Sequence, residues 1–189
     1  MYHTYMKNFK YIAFHKPYGV ITQFSGEEDD KTLKDFSIPK GVYAAGRLDK
    51  DSEGLLLLTD DGIFNQKLTH PKSKKIKTYW IQVENIPSPE SLKKMASGVK
   101  IKDYKTRPCQ VKKISPVVSP RVPPIRERKN IPTCWLEVKL SEGKNRQLRK
   151  MSAAIGHPTL RLLRVGIGKL KLADLAVGEW RYVKREDIL

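Results

Sequence analysis

Alternation of apolar and polar residues along the chain predicts several β-strands. In the segment TYWIQVE (78–84), Tyr79, Ile81 and Val83 take one face, and the residues between them take the other. The four leucines at 55–58 indicate a strand that is buried on both faces. The same reasoning predicts extended segments at 9–14, 20–24, 42–45, 107–114, 133–140, 159–165 and 169–172.

Capping residues and helical spacing predict helices between these strands. A helix over 62–68 can be capped by Asp60 or Asp61, which directly precede it. The other helical segments expected are a turn at 32–36, a helix from Ser88-Pro89 to Gly98 and a helix at about 145–155. Strands and helices in this arrangement indicate a mixed α/β (α+β) domain with a large, partly antiparallel sheet.

The helix at 145–155 combines an apolar face with a basic one. At 100° per residue, Leu148, Met151 and Ile155 share one face, and the opposite face carries three cations, Arg146, Arg149 and Lys150. An ordinary amphipathic surface helix has the same pattern. Three cations this close repel each other, however, and a nearby anion would relieve that repulsion.

The distribution of charge indicates a polyanionic partner. The chain has 189 residues and a formal net charge of +17. Residues 62–171 hold 26 basic and six acidic side chains, a net of +20, whereas residues 27–61 have a net charge of −5. Tyr79, Trp80 and Trp135 lie within the basic region. Because stacking aromatics beside cations suit nucleic acid, we favour RNA or DNA over a merely soluble surface.

Several classes of protein are excluded by composition. Cys109 and Cys134 lack CxxC spacing, which excludes a disulfide framework and a structural zinc site. No histidine has metal-ligand or Ser/Cys–His spacing. No apolar run approaches the roughly 20 residues that span a bilayer, and the N-terminus has no signal-peptide core. We therefore expect a cytoplasmic protein with reduced thiols, no metal and no membrane association.

Asp49 is the strongest candidate for chemistry. It lies between Arg47 and Lys50 in a loop that joins two apolar segments, where a side chain can face a cleft. A lone ionised carboxylate in a basic groove suits attack on the anomeric carbon of a sugar. Retaining glycosidases need a second carboxyl to protonate their leaving group. A uracil base can depart as a delocalised anion, so that one carboxylate can suffice.

The neighbouring acids admit a second interpretation. Asp49, Asp51 and Glu53 could hold Mg²⁺ for a nuclease or phosphotransferase, which a chelator would inactivate. That arrangement needs an extended loop, whereas Gly54 favours a turn. We therefore expect Asp51, Ser52 and Glu53 to act as turn or capping residues.

Three motifs in order carry a resemblance to a known family. They are GRLDKDSEGLLLLTDDG at 46–62, KTYWIQVE at 77–84 and EGKNRQLRKMSAAIGHPTLRLLRVGIGKLKL at 142–172. Together with the opening HKPYGVITQF, they resemble the RsuA/RluB/RluE/RluF family of pseudouridine synthases. The loop PPIRERKNIPTCWL and the closing LADLAVGEWR are most similar to the RluE type. The resemblance covers about residues 11–181.

The resemblance implies both a fold and a set of site residues. The implied fold is a pseudouridine synthase fold, with a large, mostly antiparallel sheet in two lobes, helices on it and a catalytic cleft between. It forms a single catalytic domain over 1–189, without an N-terminal accessory RNA-binding domain. By their positions in the motifs, Asp49 matches the family's nucleophile, Tyr79 the tyrosine that packs on the target base, and Arg149 the basic residue that pairs with the nucleophile.

The function that the resemblance implies is isomerisation of a specific uridine in 23S rRNA to pseudouridine, without a cofactor. We expect a monomer whose partner is ribosomal RNA. The basic residues expected to bind RNA are Arg47, Lys77, Arg126, Arg128, Lys144, Arg146 and Lys150. Lys144 and Lys150 stand where relatives mostly have arginine, which keeps the charge but loses bidentate phosphate geometry. The remaining alternative is a non-catalytic rRNA-binding factor of ribosome assembly, which would leave uridines unmodified.

Overall fold

The computed structural model describes residues 8–189 apart from 127 and 129. Its strands are β1 (Tyr11–Lys16), β2 (Tyr43–Ala44), β3 (Glu53–Thr59), β4 (Lys77–Glu84), β5 (Lys100–Ile101), β6 (Tyr104–Lys105), β7 (Gln110–Ile114), β8 (Thr133–Leu140), β9 (Thr159–Ile167), β10 (Leu170–Lys171) and β11 (Trp180–Tyr182). Its helices are α1 (Gly62–Thr69), α2 (Pro89–Ala96) and α3 (Gln147–Ala154), with 3₁₀ turns at Leu33–Phe36, Pro71–Ser73 and Arg185–Asp187.

A nine-stranded sheet organises the described residues. Its order is β11-β1-β3-β9-β4-β8-β7, with β2 added to β3 and β10 added to β9. The pair β3–β9 is parallel, and the other pairs in this sheet are antiparallel. The predicted α+β class with a large, mostly antiparallel sheet is confirmed. The sheet consists of two halves, β11-β1-β3 and β9-β4-β8-β7, which meet at the parallel pair.

The apolar core follows the predicted strand patterns. Leu55 and Leu57 pack into a cluster on one face of β3, whereas Leu56 and Leu58 pack into a different cluster on the other face. Burial on both faces is thus confirmed for the four leucines. In the other half of the sheet, Ile81 and Val83 of β4 pack with α2 and α3 residues, and Tyr79 packs against the same cluster.

Several predicted boundaries hold, and others shift. The strand at 133–140 and the N-caps Asp61 and Ser88 are confirmed, and the side-chain oxygens of these caps accept hydrogen bonds from Phe64 N and Ser91 N. The extension of the sheet over 20–24 is wrong, because this segment makes only a single bridge at Val20. The strand expected at 107–114 begins at 110, since Cys109 N is bonded to the end of α2 instead.

The junction between the two halves is a close contact of two backbones. Gly54 of β3 lies opposite Arg164 of β9, and Arg164 lies opposite Tyr79 of β4, so that one row crosses three strands. Gly54 has φ of +99°. A Cβ atom at this glycine would lie 2.3 Å from the carbonyl oxygen of Arg164. The sequence therefore needs glycine here both for the conformation and for the space.

A buried ion pair stands beside this glycine. Glu53 is 3% exposed, and its two carboxylate oxygens accept hydrogen bonds from Nε and Nη2 of Arg161 at 2.9 and 2.8 Å. Arg161 also donates to the carbonyl of Ser119 at 2.8 Å. The expectation that Glu53 is a turn or capping residue is wrong, because the residue begins β3 and faces a buried guanidinium.

We predict that Glu53→Gln destabilises the fold strongly, because it leaves the buried Arg161 charge without its counter-ion. The expected loss is about 3–5 kcal/mol in the free energy of unfolding. Urea denaturation measures this loss, and the exposed Glu28→Gln serves as the matched control. A loss below about 1 kcal/mol for Glu53→Gln would show that the pair is not needed to join the two halves.

Candidate active site

A cleft of about 460 Å³ opens beside the junction of the two halves. Its lining includes Asp49, Tyr79 and Arg149, the three residues predicted from the sequence to be catalytic. Arg47, Lys77, Lys144 and Arg146 from the predicted RNA-binding set line the same cleft. The structure therefore brings residues that are up to 102 positions apart into one cleft.

The loop that carries Asp49 is held to the rest of the fold by its backbone. Thr22 Oγ1 donates to the carbonyl of Leu48 at 2.6 Å and accepts from Leu48 N at 3.2 Å. Gly19 N donates to the carbonyl of Lys50 at 2.8 Å. Ser52 N donates to the carbonyl of Asp49 at 3.0 Å, which closes a turn. The position of Asp49 is therefore set by neighbours on both sides of it.

The carboxylate of Asp49 is only weakly engaged. Its side chain is 40% exposed, and the nearest cation recorded among the described residues is Arg146, with Nη1 at 3.6 Å from Oδ2. That separation makes an ion pair without a short hydrogen bond. Asp49 thus keeps oxygen lone pairs free toward the cleft.

Asp51 binds Arg149, the arginine that the resemblance assigns to Asp49, and also binds Arg146. Arg146 makes a bidentate contact with the Asp51 carboxylate at 3.1 and 2.8 Å. Nη2 of Arg149 lies 3.4 Å from Oδ1 of Asp51 and donates to the Asp51 carbonyl at 2.7 Å. The recorded ion pair of Arg149 is thus with Asp51, not with Asp49, and the expectation that Asp51 is only a turn residue is wrong. No signal in the sequence separated the two aspartates in this respect, because both lie in one short loop.

The electrostatics of this cluster follow from its partial burial. Burial alone would raise the pKa of Asp51, but the hydrogen bond from Arg146 and the charges of both arginines outweigh it and lower the pKa. Burial also lowers the pKa of Arg149, against the opposing attraction of Asp51. Asp51 is therefore held ionised between the two guanidinium groups.

Arg146 does not belong to the basic face of a helix. It precedes α3 with φ of +49° and ψ of +30°, the left-handed conformation, and the helix begins at Gln147. The predicted stripe of Arg146, Arg149 and Lys150 is therefore wrong in its geometry. The left-handed turn directs the Arg146 side chain to Asp51 and Asp49.

Three members of the predicted RNA-binding set lie outside the lining of the cleft. Arg126 is exposed in the connection between β7 and β8, and Arg128 in the same connection lies 3.6 Å from Glu84. Lys150 Nζ donates to the carbonyl of Asn145 at 2.8 Å. RNA binding by these three residues stays a prediction.

Lys16 is a functional candidate that sequence reasoning missed. It ends β1 opposite Gly54, its side chain is fully buried, and its ammonium group donates to the carbonyl of Pro17 at 2.8 Å. Burial lowers the pKa of Lys16 to about 8, while Glu53, Asp51 and Asp49 oppose that shift. A lysine directly before a proline at the end of a strand gave no sign of its burial.

The acids of the loop do not form a metal centre. Among residues 8–126, 128 and 130–189, no group of three or more His, Cys, Asp or Glu side chains is placed to hold an ion. Asp51 faces two arginines and Glu53 faces Arg161, so that their oxygens are already occupied.

Within the described residues, no helix has the length and apolar character needed to cross a membrane.

Comparison with known proteins agrees with this geometry. Residues 10–154 match the family described as RNA pseudouridylate synthase. The chain belongs to this family. A "Ribosomal large subunit pseudouridine synthase E" of Vibrio parahaemolyticus is 50% identical over 180 residues, which are 95% of this chain and 76% of the relative. One of the same name from Xanthomonas campestris pv. campestris is 51% identical over 174 residues, 90% of this chain and 93% of the relative.

A solved structure supports the same family from the fold. A solved structure described as "Crystal structure of pseudouridylate synthase" matches with a TM-score of 0.78 and 26% sequence identity. The match covers 98% of the present chain and 74% of the solved one. The predicted family, its RluE type and the class of enzyme are thereby confirmed. The protein is an isomerase that acts on RNA.

We predict that Asp51→Asn destabilises this pseudouridylate synthase more at neutral pH than in acid. The folded carboxyl has a lowered pKa, so its contribution is present above the unfolded value of about 3.9 and is lost as the pH falls through the folded value. Because the side chain is one third exposed, we expect a loss of about 1–2 kcal/mol at pH 7. Urea unfolding at pH 7 and pH 3, with the exposed Asp103→Asn as control, measures it. An equal gap at both pH values would contradict the ion-pair account.

We predict that the stability of this synthase, relative to its Lys16→Met variant, rises with pH. Since the folded pKa of about 8 lies below the unfolded value of 10.5, the unfolded chain binds more protons between these values. Between pH 8 and pH 10.5, the free energy of unfolding of the wild type should rise by roughly 3 kcal/mol relative to that of Lys16→Met. Urea denaturation across this range tests the expectation, and the exposed Lys34→Met should show no such trend. Parallel curves for wild type and Lys16→Met would refute it.

Proposed function

We propose that this enzyme converts a uridine of 23S rRNA, in the large ribosomal subunit, to pseudouridine, with Asp49 as the nucleophile. The names of relatives that share half of its residues support the substrate. One observation of the site carries the chemistry. The Asp49 carboxylate faces a basic cleft without a short hydrogen bond to a cation, whereas Asp51 and Glu53 are held by arginines.

The charge of the cleft supports RNA as the substrate. Two carboxylates, Asp49 and Glu142, are outnumbered among the lining residues by basic side chains, which are Arg47, Lys77, Arg107, Lys144, Arg146, Arg149 and Arg164. Phosphates bound by the exposed members of this set, such as Lys144 and Arg146, release counter-ions, which supplies affinity. Extruding a uridine from its stack costs about a few kcal/mol, and these contacts offset that cost.

The first chemical step breaks the bond between C1′ of the ribose and N1 of the uracil. In one route, an Asp49 oxygen forms a bond to C1′ while the electron pair of the C1′–N1 bond leaves with the base. In the other route, the Asp49 carboxylate removes a proton from C2′, and a glycal forms as the base leaves. Both routes need an ionised carboxylate at the sugar and produce a uracil anion.

The second step joins the same base through carbon. The uracil turns in the cleft, and C5 donates an electron pair to C1′. In the first route this displaces the Asp49 oxygen from C1′. In the glycal route the Asp49 carboxyl returns its proton to C2′ as the bond between C5 and C1′ forms. The proton on C5 is then lost, and N1 gains a proton. Atoms and electrons balance within the substrate and water, so that the reaction requires no oxidant, reductant or cofactor.

Tyr79 and Arg149 assist in different ways. Tyr79 is half-buried on β4 and lines the cleft, where its ring can pack on the extruded base. Arg149 holds the carbonyl of Asp51 and so fixes the loop that carries the nucleophile. In the free enzyme, Arg149 is therefore a positioning residue for the loop.

The enzyme acts as a monomer in the cytoplasm, on rRNA alone or in an assembling subunit.

We predict that Asp49→Asn abolishes catalysis without loss of fold. Asparagine keeps the shape of the side chain but lacks the charge and nucleophilicity that both routes require. Tritium release from 5-tritiated uridine in rRNA should fall by at least about 10³-fold, on the order of 4 kcal/mol in activation free energy.

The exposed Asp29→Asn, which lies outside the cleft, is the matched control and should keep full activity. Thermal unfolding and RNA affinity of Asp49→Asn should match wild type. Tritium release that persists in Asp49→Asn would show that another group is the nucleophile. A wild-type protein that binds rRNA but never releases tritium would instead support the assembly-factor alternative.

A further inference from the structure

Arg164 places a buried, incompletely partnered guanidinium in the wall of the cleft. The residue is 3% exposed and lines the cleft from β9. Its Nε donates to the carbonyl of Leu55 at 2.8 Å, and its Nη1 donates to the carbonyl of Arg47 at 3.5 Å. Its Nη2 is buried and has no hydrogen-bond partner within the described part of the chain. Both partners that it does have are neutral carbonyls.

Lys77 brings a second cation to the same wall. It lies two residues before Tyr79 on β4, and both of these side chains line the cleft. Burial lowers the pKa of Lys77, and the charge of Arg164 lowers it further. In the described residues, no carboxylate lies within ion-pair distance of either Lys77 or Arg164.

The other two arginines near the junction, unlike Arg164, each have a carboxylate within ion-pair distance. Glu53 forms an ion pair with Arg161, and Asp51 lies within ion-pair distance of Arg149, although Asp51 also pairs with Arg146. Leaving buried cations without a counter-ion is costly, since water no longer solvates them fully. Arg164, which is buried, and Lys77, which is half-buried, share the lining of one cleft without a carboxylate, and this suits a ligand that brings the anion.

The position of the pair indicates which part of the ligand carries the charge. Arg164 lies opposite Tyr79 in the β4–β9 register, and both residues line the cleft, so Arg164 lies in the wall that carries the ring expected to pack on the target base. Phosphates stay on the RNA backbone and can meet the exposed Arg146 and Lys144. A buried guanidinium is reached by the inserted base, whose O2, O4 and ring nitrogens present flat acceptors to a planar donor.

We propose that Arg164 and Lys77 form an anion subsite that binds the uracil base as it leaves the ribose. This inference rests on the proposed function. When C1′–N1 breaks, the bonding electron pair passes to the base and spreads over N1, O2 and O4. The two cations meet this charge where it develops, and they lose it again when C5 bonds to C1′ and the C5 proton departs. Their contribution is thus specific to the transition state and the uracil anion.

Lys77→Gln separates this role from phosphate binding. We expect single-turnover tritium release at saturating rRNA to fall about 10²-fold, with the Kd for rRNA unchanged, because the base is neutral before the bond breaks. Lys77→Arg should recover most of the rate. Lys105→Gln removes the same charge from an exposed strand outside the cleft lining and should leave the rate unaltered.

The opposite pattern would overturn the proposal. A raised Kd, a smaller salt dependence of binding and an unchanged rate would show that Lys77 contacts a phosphate. An unchanged rate and Kd would show that it contacts no part of the RNA. If the wild-type protein releases no tritium at all, it is the proposed function that fails.

A binding measurement tests the subsite without catalysis. The probe is 5-nitrouracil, which is ionised at neutral pH, and thymine is its neutral control. Titration of wild type should shift the Nε–H resonance of Arg164 with 5-nitrouracil but not with thymine, and Lys77→Gln should weaken the response. Equal responses to both bases, or none to either, would remove the subsite whatever the outcome of the activity assay.

Discussion

The close approach of two backbones at Gly54 and Arg164 is the constraint on which the active site depends. This parallel contact joins two antiparallel half-sheets, one carrying the Asp49 loop and the other carrying Tyr79. A side chain at position 54 would collide with the Arg164 carbonyl and force the strands apart. Asp49 and Tyr79 would then no longer share one cleft. The Glu53–Arg161 pair closes the same junction from the next residue along.

The distribution of counter-ions around this junction divides the charged residues by task. The carboxylates of Asp51 and Glu53 form ion pairs with arginines and stabilise the fold. Asp49 retains an open carboxylate, and Arg164 retains an unpaired donor. Asp51 and Glu53 therefore serve the fold through matched charges, whereas Asp49 and Arg164 leave charged groups unmatched in the lining of the cleft.

Much of the fold was predictable because its signals are local. The leucine run at 55–58, the alternating segment at 78–84 and the Ser88-Pro89 helix start each depend on neighbouring residues. The family motifs also placed Asp49, Tyr79 and Arg149 together, and all three line the cleft. The sequence did not reveal pairings such as Glu53 with Arg161, which are 108 positions apart. Nor did it reveal the left-handed Arg146, because non-glycine residues rarely adopt that conformation.

The backbone contacts around Asp49 have a consequence for the choice of substrate. With Leu48 held by Thr22 and Lys50 held by Gly19, the backbone on either side of Asp49 is fixed. If Asp49 acts as proposed, the nucleotide has to move to this loop, because the backbone of the loop does not move to the nucleotide. A uridine in a hairpin loop or beside a mismatch can swing out cheaply, whereas one locked in a continuous duplex cannot. Selection among the many uridines of an rRNA is thus made partly by the local mechanics of the RNA itself.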